Sequence, residues 1–285
     1  MLYLLRCLVT ALLLLPGTVT AITYMAPMSK AQWNLELSQF SCRMWQAIPV
    51  YGDAIFEYRA GEKQRFYLSP TRRAMKQGKA LLTSNSPLWS SQRHTVALAE
   101  VPVSTGNRPV VLKSSLANKL LHELNEGMSP LFSRKAWYSE TDEVQVGLSS
   151  VNFQKAYGQY RQCLAGLLPV NFDQISRSRL QYTPGRWQID ELARKKLDLI
   201  VLYAKADPKV SAFYVDGHTD DLGRRLANYD MSKKRAEAVT QYLVAAGIDE
   251  AKITTRYHGE RYPIVKNKDR ASRAKNRRVT VQLAR

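Results

Sequence analysis

Acidic residues are scarce in this sequence. Its 24 Asp and Glu face 42 Lys and Arg, a formal net charge of +18. That surplus points to an anionic partner such as nucleic acid, lipid headgroups or an acidic polymer. Cysteine is scarcer still, with three residues in 285, and the four histidines are scattered. No CxxC is present, which argues against a zinc site. Glycine and proline number 14 and 12, too few and too irregular for a collagen. There is no internal repeat and no low-complexity tract. Beyond the first residues no run is apolar enough to span a bilayer, which excludes a polytopic membrane protein. What is left is a globular mix, 45% apolar and 23% charged, long enough for one or two domains with a sizeable core.

The start of the chain sets the expected compartment. Met1 to Arg6 carry one positive charge, Cys7 to Leu15 form an apolar run, and Pro16-Gly17 breaks it. Val19-Thr20-Ala21 then supplies small residues at a cleavage site. This layout predicts a cleavable signal peptide over residues 1–21, hence export. Cys7 lies inside the apolar run rather than at the cleavage point, so no lipid anchor is expected. Cleavage leaves Cys42 and Cys163. In an oxidising compartment they read as one disulfide or as two buried thiols.

Organisation changes along the chain, and the fold class read from it is α+β. Residues 22–170 are strand-rich, with alternating apolar residues at Trp33, Leu35 and Leu37 and again at Val144, Val146 and Leu148. Two helices interrupt them. One is capped by Ser114 or Ser115 and closed by Gly127, and one starts near Ser150 and carries Cys163. From residue 175 strands and helices alternate in the order βαβαβ, with a helix opened by Pro184-Gly185 and strands at 210–216, 253–257 and 279–283. The boundary falls in the link at 169–176, which gives domains at 22–170 and 175–285.

Chemistry concentrates between Gly217 and Val279. Thr219-Asp220 follows a strand, and Arg235 falls in the first turns of the next helix. A loop carboxylate and a helix guanidinium facing one pocket suit a zwitterion, because Asp accepts from an ammonium while Arg forks onto a carboxylate. The joint spacing of Gly217-His218-Thr219-Asp220, Gly223, Asn228, Met231-Ser232, Arg235-Ala236, Gly259 and Asn276-Arg277-Arg278-Val279 resembles the OmpA-like peptidoglycan-binding domain. The resemblance implies a βαβαβ sandwich that grips the diaminopimelate of the stem peptide. It implies Asp220 and Arg235 as ligands, with Thr219, Asn228 and Arg278 lining or bracing the pocket. Tyr182-Thr183 occupies the place where that family often has Phe-Asp. Phe172-Asp173 looks similar but lies in the linker.

The first half carries a narrower likeness. Trp33, Cys42, Ile48-Pro49, Gly52-Asp53-Ala54-Ile55-Phe56 and Arg59-Ala60 recur in order, followed by the run from Val146 to Gln154 and by Cys163. Together with the second half this is similar to the MotY family of flagellar motor proteins. The resemblance implies a periplasmic protein at the flagellar basal body that forms a ring with a MotX-like partner. It implies that the protein holds stator units indirectly through its grip on peptidoglycan, and that a disulfide joins Cys42 to Cys163. No cofactor or metal is implied. An enzyme is not expected. Glu123 and Glu126, three apart on a helix, read as a solvated face, and His218, His258, His94 and His122 lack ligands at metal spacing. Nucleic acid is not an expected partner for an exported chain. A generic peptidoglycan tether unrelated to motility is the alternative.

Overall fold

The computed structural model describes residues 21–87, 90, 91 and 93–285. The signal-peptide reading of residues 1–21, with Cys7, therefore lies outside the described residues except at Ala21. In the first half, strands β1 (Ala21–Tyr24), β2 (Trp33–Leu37), β3 (Ser41–Ile48), β4 (Gly52–Arg59), β5 (Arg65–Pro70), β6 (Gly78–Asn85), β7 (Thr95–Val103) and β8 (Val111–Leu112) precede helix α1 (Ser114–Asn125). Strands β9 (Ser129–Lys135) and β10 (Glu143–Gly147) and helix α2 (Phe153–Ala165) follow. The second half holds α3 (Phe172–Ile175), β11 (Arg177–Gln181), α4 (Glu191–Ala206), β12 (Ala212–His218), α5 (Arg225–Ala245), β13 (Ile253–Tyr257), α6 (Arg270–Asn276) and β14 (Arg278–Ala284). Among the described residues no helix is long and apolar enough to cross a membrane.

The chain packs as two compact units. One takes the residues through Asn34, Trp45–Phe56 and Arg65–Ala156, and the other takes Leu35–Met44, Glu57–Gln64 and Tyr157–Arg285. The second unit thus gathers two short segments of the first half, most of α2 and the link after it with the whole of the second half.

The first unit contains a five-stranded sheet in the order β1-β10-β9-β6-β7. Its pairs are antiparallel except β1 with β10. The other five-stranded sheet of the chain runs β2-β3-β4-β5-β8. Aromatic side chains form a continuous core: Phe153 meets Trp33 edge-on at 5.1 Å, Trp33 meets Phe56 at 6.0 Å, Phe56 meets Phe66 at 4.8 Å, and Phe66 stacks on Phe132 at 5.7 Å. Such ring pairs add to the area term of burial. Buried Gln46 closes a two-way bond with Ser149, accepting from its N–H at 2.8 Å and donating to its carbonyl at 3.0 Å. Helix α1 buries Ala117, Leu120, Leu121 and Leu124. It starts one residue earlier than a serine cap requires: Lys113 is the N-cap and no side chain caps it. Gly127 ends it as expected, at φ +81°, a conformation that glycine adopts without strain. Glu123 is half-buried and accepts from Ser84 Oγ at 2.6 Å, so it is not part of a solvated face.

The second unit is built on a four-stranded sheet in the order β11-β14-β12-β13. β12 and β13 run parallel across the α5 crossover, and β14 is antiparallel to both β11 and β12. Leu197, Ile200, Phe213, Val215, Val239, Leu243, Val279 and Val281 fill its core. The expected strand–helix order is present, with two short helices added. α4 starts at Glu191 rather than after Pro184-Gly185, because Asp190 Oδ1 accepts from Ala193 N at 2.7 Å and caps it there. α6 was not expected. Its Asp269 and Ser272 form a reciprocal capping box. Phe172 belongs to α3, 6.2 Å from Tyr203, and its partner Asp173 pairs with Arg59. Cys42 in β3 and Cys163 in α2 are bonded, with Cα atoms 6.0 Å apart and a sequence separation of 121. On the chain-entropy model a loop of that size contributes roughly 5 kcal/mol, an upper figure.

Candidate functional site

The carboxyl end of β12 positions the site. Gly217 lets α5 lie directly on the strand: a Cβ there would stand 2.2 Å from Ser232 O and 3.1 Å from Ala236 Cβ. The chain after it stays extended, with His258 N donating to Gly217 O at 3.0 Å and Thr219 N donating to Gly259 O at 2.9 Å. Asp220 then enters the loop, where Leu222 N approaches its Oδ1 at 3.4 Å.

Arg235 is 1% exposed, among the most buried large side chains of the protein. It lies about three turns into α5, further along than expected, because the helix starts at Arg225. Its Nε donates to Arg186 O at 2.9 Å, Nη1 to His218 O at 3.1 Å and Nη2 to Thr183 O at 3.4 Å. The guanidinium sits 5.0 Å from the Tyr182 ring centroid, a cation–π contact. Burial lowers its pKa to about 10, against the pull of Tyr182 and Asp220, so it stays cationic at neutral pH. Three of its five N–H groups are used. Two remain.

Asp220 is bonded to Arg277, not to Arg235. Arg277 Nη1 donates to Asp220 Oδ2 at 2.6 Å and its Nε donates to Tyr182 O at 3.1 Å. Both side chains of this pair are below one-tenth exposed, at 8% and 9%. Arg278 points elsewhere, donating to Asn276 O at 3.3 Å and Tyr262 O at 3.0 Å. Arg277 is the C-cap of α6 and Arg278 is the first residue of β14. Asn228 is buried and donates to Glu260 Oε2 at 2.6 Å. Thr219 Oγ1 and Tyr182 Oη are buried polar atoms without a partner. A cavity of about 310 Å³ is lined by Tyr182, Thr183, Asp190, Lys196 and Arg277 among others.

The structure therefore brings together Asp220, Arg277, Arg235, Thr219 and the Tyr182-Thr183 segment. It sets Asn228 and Arg278 to one side. One carboxylate beside two guanidinium groups carries a net positive charge. Asp220 Oδ1 is met by Leu222 N at 3.4 Å, a long contact that leaves it able to accept from an ammonium, and the unused N–H groups of Arg235 suit a carboxylate. Arg277 was missed as a site residue. The signal for it was limited to its place in the Asn276-Arg277-Arg278-Val279 run.

His218 and His258 stack at 4.9 Å. His258 Nε2 lies 2.8 Å from Asp216 Oδ1, and Arg256 forks onto the same carboxylate. Burial lowers the pKa of His218 to about 3, helped by Arg278 and His258 and opposed by Asp216. The folded state thus refuses a proton that the unfolded chain takes up near pH 6.5. Stability is complete above roughly pH 6.5 and falls as the pH drops toward about 3, by up to ~1.4 kcal/mol per pH unit. We expect His218→Asn to flatten this slope between roughly pH 6.5 and 5, where the wild type loses about 2 kcal/mol. Denaturant unfolding of both proteins across that window measures it. Parallel slopes would refute the assignment.

These features define a class: an OmpA-type domain carried behind a β-rich half. Residues 181–277 match the OmpA family. Residues 24–169 match the MotY N-terminal domain, and the chain belongs to that family. It is 29% identical over 265 residues to the sodium-type flagellar protein MotY of Vibrio parahaemolyticus, covering 92% of this chain and 90% of that one. It is 36% identical over 85 residues to the peptidoglycan-associated lipoprotein of Haemophilus influenzae, covering 30% of this chain and 55% of that one. The crystal structure of the peptidoglycan-associated lipoprotein from Burkholderia pseudomallei aligns at 26% identity and TM-score 0.35, over 37% of this chain and 88% of that one.

Proposed function

We propose that this protein is a structural, non-enzymatic component of a flagellar motor that binds peptidoglycan. Its address is the periplasm at the basal body, reached by a cleaved signal peptide. Residues 22–170 dock on the basal body beside a MotX-like ring partner, and residues 175–285 hold the wall, so that stator units are anchored indirectly. The observation that carries this is the union, in one chain, of a MotY N-terminal domain with an OmpA family domain. The chemistry at the end of β12 supports the wall contact. Asp220 accepts the ammonium of diaminopimelate, and Arg235 gives its free N–H groups to the carboxylate. Thr219 and Arg277 complete the pocket, while Asn228 and Arg278 brace the loops around it.

The test has two parts. The full chain should co-sediment with purified sacculi, and a strain lacking it should keep its flagella yet swim poorly. A tagged copy should form a focus at the flagellar base. Sacculus binding with normal swimming would replace the motor reading by a generic peptidoglycan tether. Absence of sacculus binding would remove both.

A further inference from the structure

Next to the candidate site, α5 and the segment after β13 enclose a second concavity. It is a groove of about 430 Å³ lined by Leu226, Tyr229, Tyr257, Glu260, Arg261 and Tyr262 among others, a size that accommodates small ligands. Leu226 is 73% exposed, Tyr262 60% and Tyr229 44%. Large apolar side chains gathered around one open concavity mark an interaction site more often than scattered ones do. The rings are held rather than loose. Tyr229 meets Tyr257 edge-on at 5.3 Å, and Tyr262 meets His258 edge-on at 5.2 Å. Charged groups stand at the rim, with Glu260 fixed by Asn228 Nδ2 at 2.6 Å.

We infer that this groove binds the glycan strand of peptidoglycan, with the sugar rings laid on the tyrosines. The inference rests on the wall-binding reading of the Asp220 site. A pyranose presents an apolar C–H face and a rim of hydroxyls. That matches ring faces flanked by a carboxylate and two guanidinium groups, those of Arg225 and Arg261. Continuity with the neighbouring site selects this occupant over others. Thr219 N bonds to Gly259 O at 2.9 Å, and Asn228 bonds to Glu260, so the two sites share a wall. Diaminopimelate is the third residue of a stem attached to the sugar. Three extended residues span about 10 Å, which is the separation over which one muropeptide would engage both sites.

The experiment is calorimetric titration of the full chain with three probes: the tripeptide stem, the disaccharide-tripeptide and an N-acetylglucosamine oligomer. We expect the disaccharide-tripeptide to bind about tenfold tighter than the tripeptide. Tyr262→Ala should erase that gain and leave tripeptide affinity unchanged. The Tyr262 carbonyl that receives Arg278 is kept in this variant, and the side chain is exposed, so the fold is not at risk. Equal affinity for the two stem-bearing probes, or an unchanged gain in Tyr262→Ala, would overturn the inference. Should neither stem-bearing probe bind, the Asp220 reading has failed, and the oligomer decides the groove alone. Shifts of the Tyr229 and Tyr262 ring resonances with the oligomer would sustain it, and unmoved resonances would overturn it.

Discussion

Asp220→Asn is expected to lose retention on sacculi, with affinity for a diaminopimelate-containing stem falling by about 10- to 150-fold. The magnitude follows from one charge-assisted hydrogen bond, worth about 1.5–3 kcal/mol. Two effects act together. The ligand ammonium loses its anion, and Arg277 is left as an uncompensated cation facing it. The same substitution weakens the buried pair with Arg277, whose nitrogen and oxygen stand 2.6 Å apart in the wild type. Asn retains an acceptor there, so the domain should stay folded at a cost of about 1–3 kcal/mol. Binding must therefore be measured well below the variant's own melting temperature, with circular dichroism as the check. Arg235→Lys is the companion. It keeps the charge but loses the fork that reaches three carbonyls, and it should bind as poorly as Asp220→Asn. Retention of Asp220→Asn on sacculi at wild-type level would sink the pocket.

The largest expected loss of stability comes from a residue with no side chain. A Cβ on Gly217 would meet the backbone of α5 at Ser232, 2.2 Å away, and neither partner has a flexible end to yield. Strand β12 and helix α5 must then separate. Overpacking of this kind costs about 1–3 kcal/mol in ordinary cores. A clash with backbone lies at or above the top of that range for Gly217→Ala, and higher for Gly217→Val. The site suffers with the fold, because Arg235 on α5 is bonded to the carbonyl of His218, the residue after Gly217. Gly158 supplies the internal control. It sits inside α2 with nothing within 4 Å of a built Cβ, so Gly158→Ala should be neutral or stabilising by about 0.5–1 kcal/mol. Denaturant titration of the two alanine variants compares them directly. Equal stabilities would show that the strand–helix contact is not as close as described.

Much of this architecture is legible in the sequence, for physical reasons. Period-two runs such as Val144-Gln145-Val146 mark strands with one buried face, and β10 forms there. Leu116 to Leu124 repeats at helical spacing, and α1 forms there. The start of α4 is harder to place. Pro184-Gly185 looks like an opening, but a turn there leaves the real capping oxygen to Asp190, six residues past the proline. Helix α6 is too short and too polar for periodicity to reveal, and only its capping pair gives it away. In the site, the motif spacing identifies Asp220 and Arg235, yet it cannot reveal what each bonds to. The carbonyls that receive Arg235 belong to Thr183, Arg186 and His218. Two of those lie about 50 residues upstream, and only folding brings them there. Arg277 and Arg278 are adjacent and both buried, so their partners, Asp220 for one and Tyr262 O for the other, emerge only from the fold.

The bridge between Cys42 and Cys163 has a mechanical consequence for any chain that carries load between a machine and a wall. Pulled from its ends, such a chain would have its tension short-circuited through the sulfur atoms. About 120 intervening residues, each worth roughly 3.5 Å when drawn out, would keep some 400 Å of slack out of the load path. Severing the bridge would convert a short, stiff tether into one that can pay out that reserve under torque.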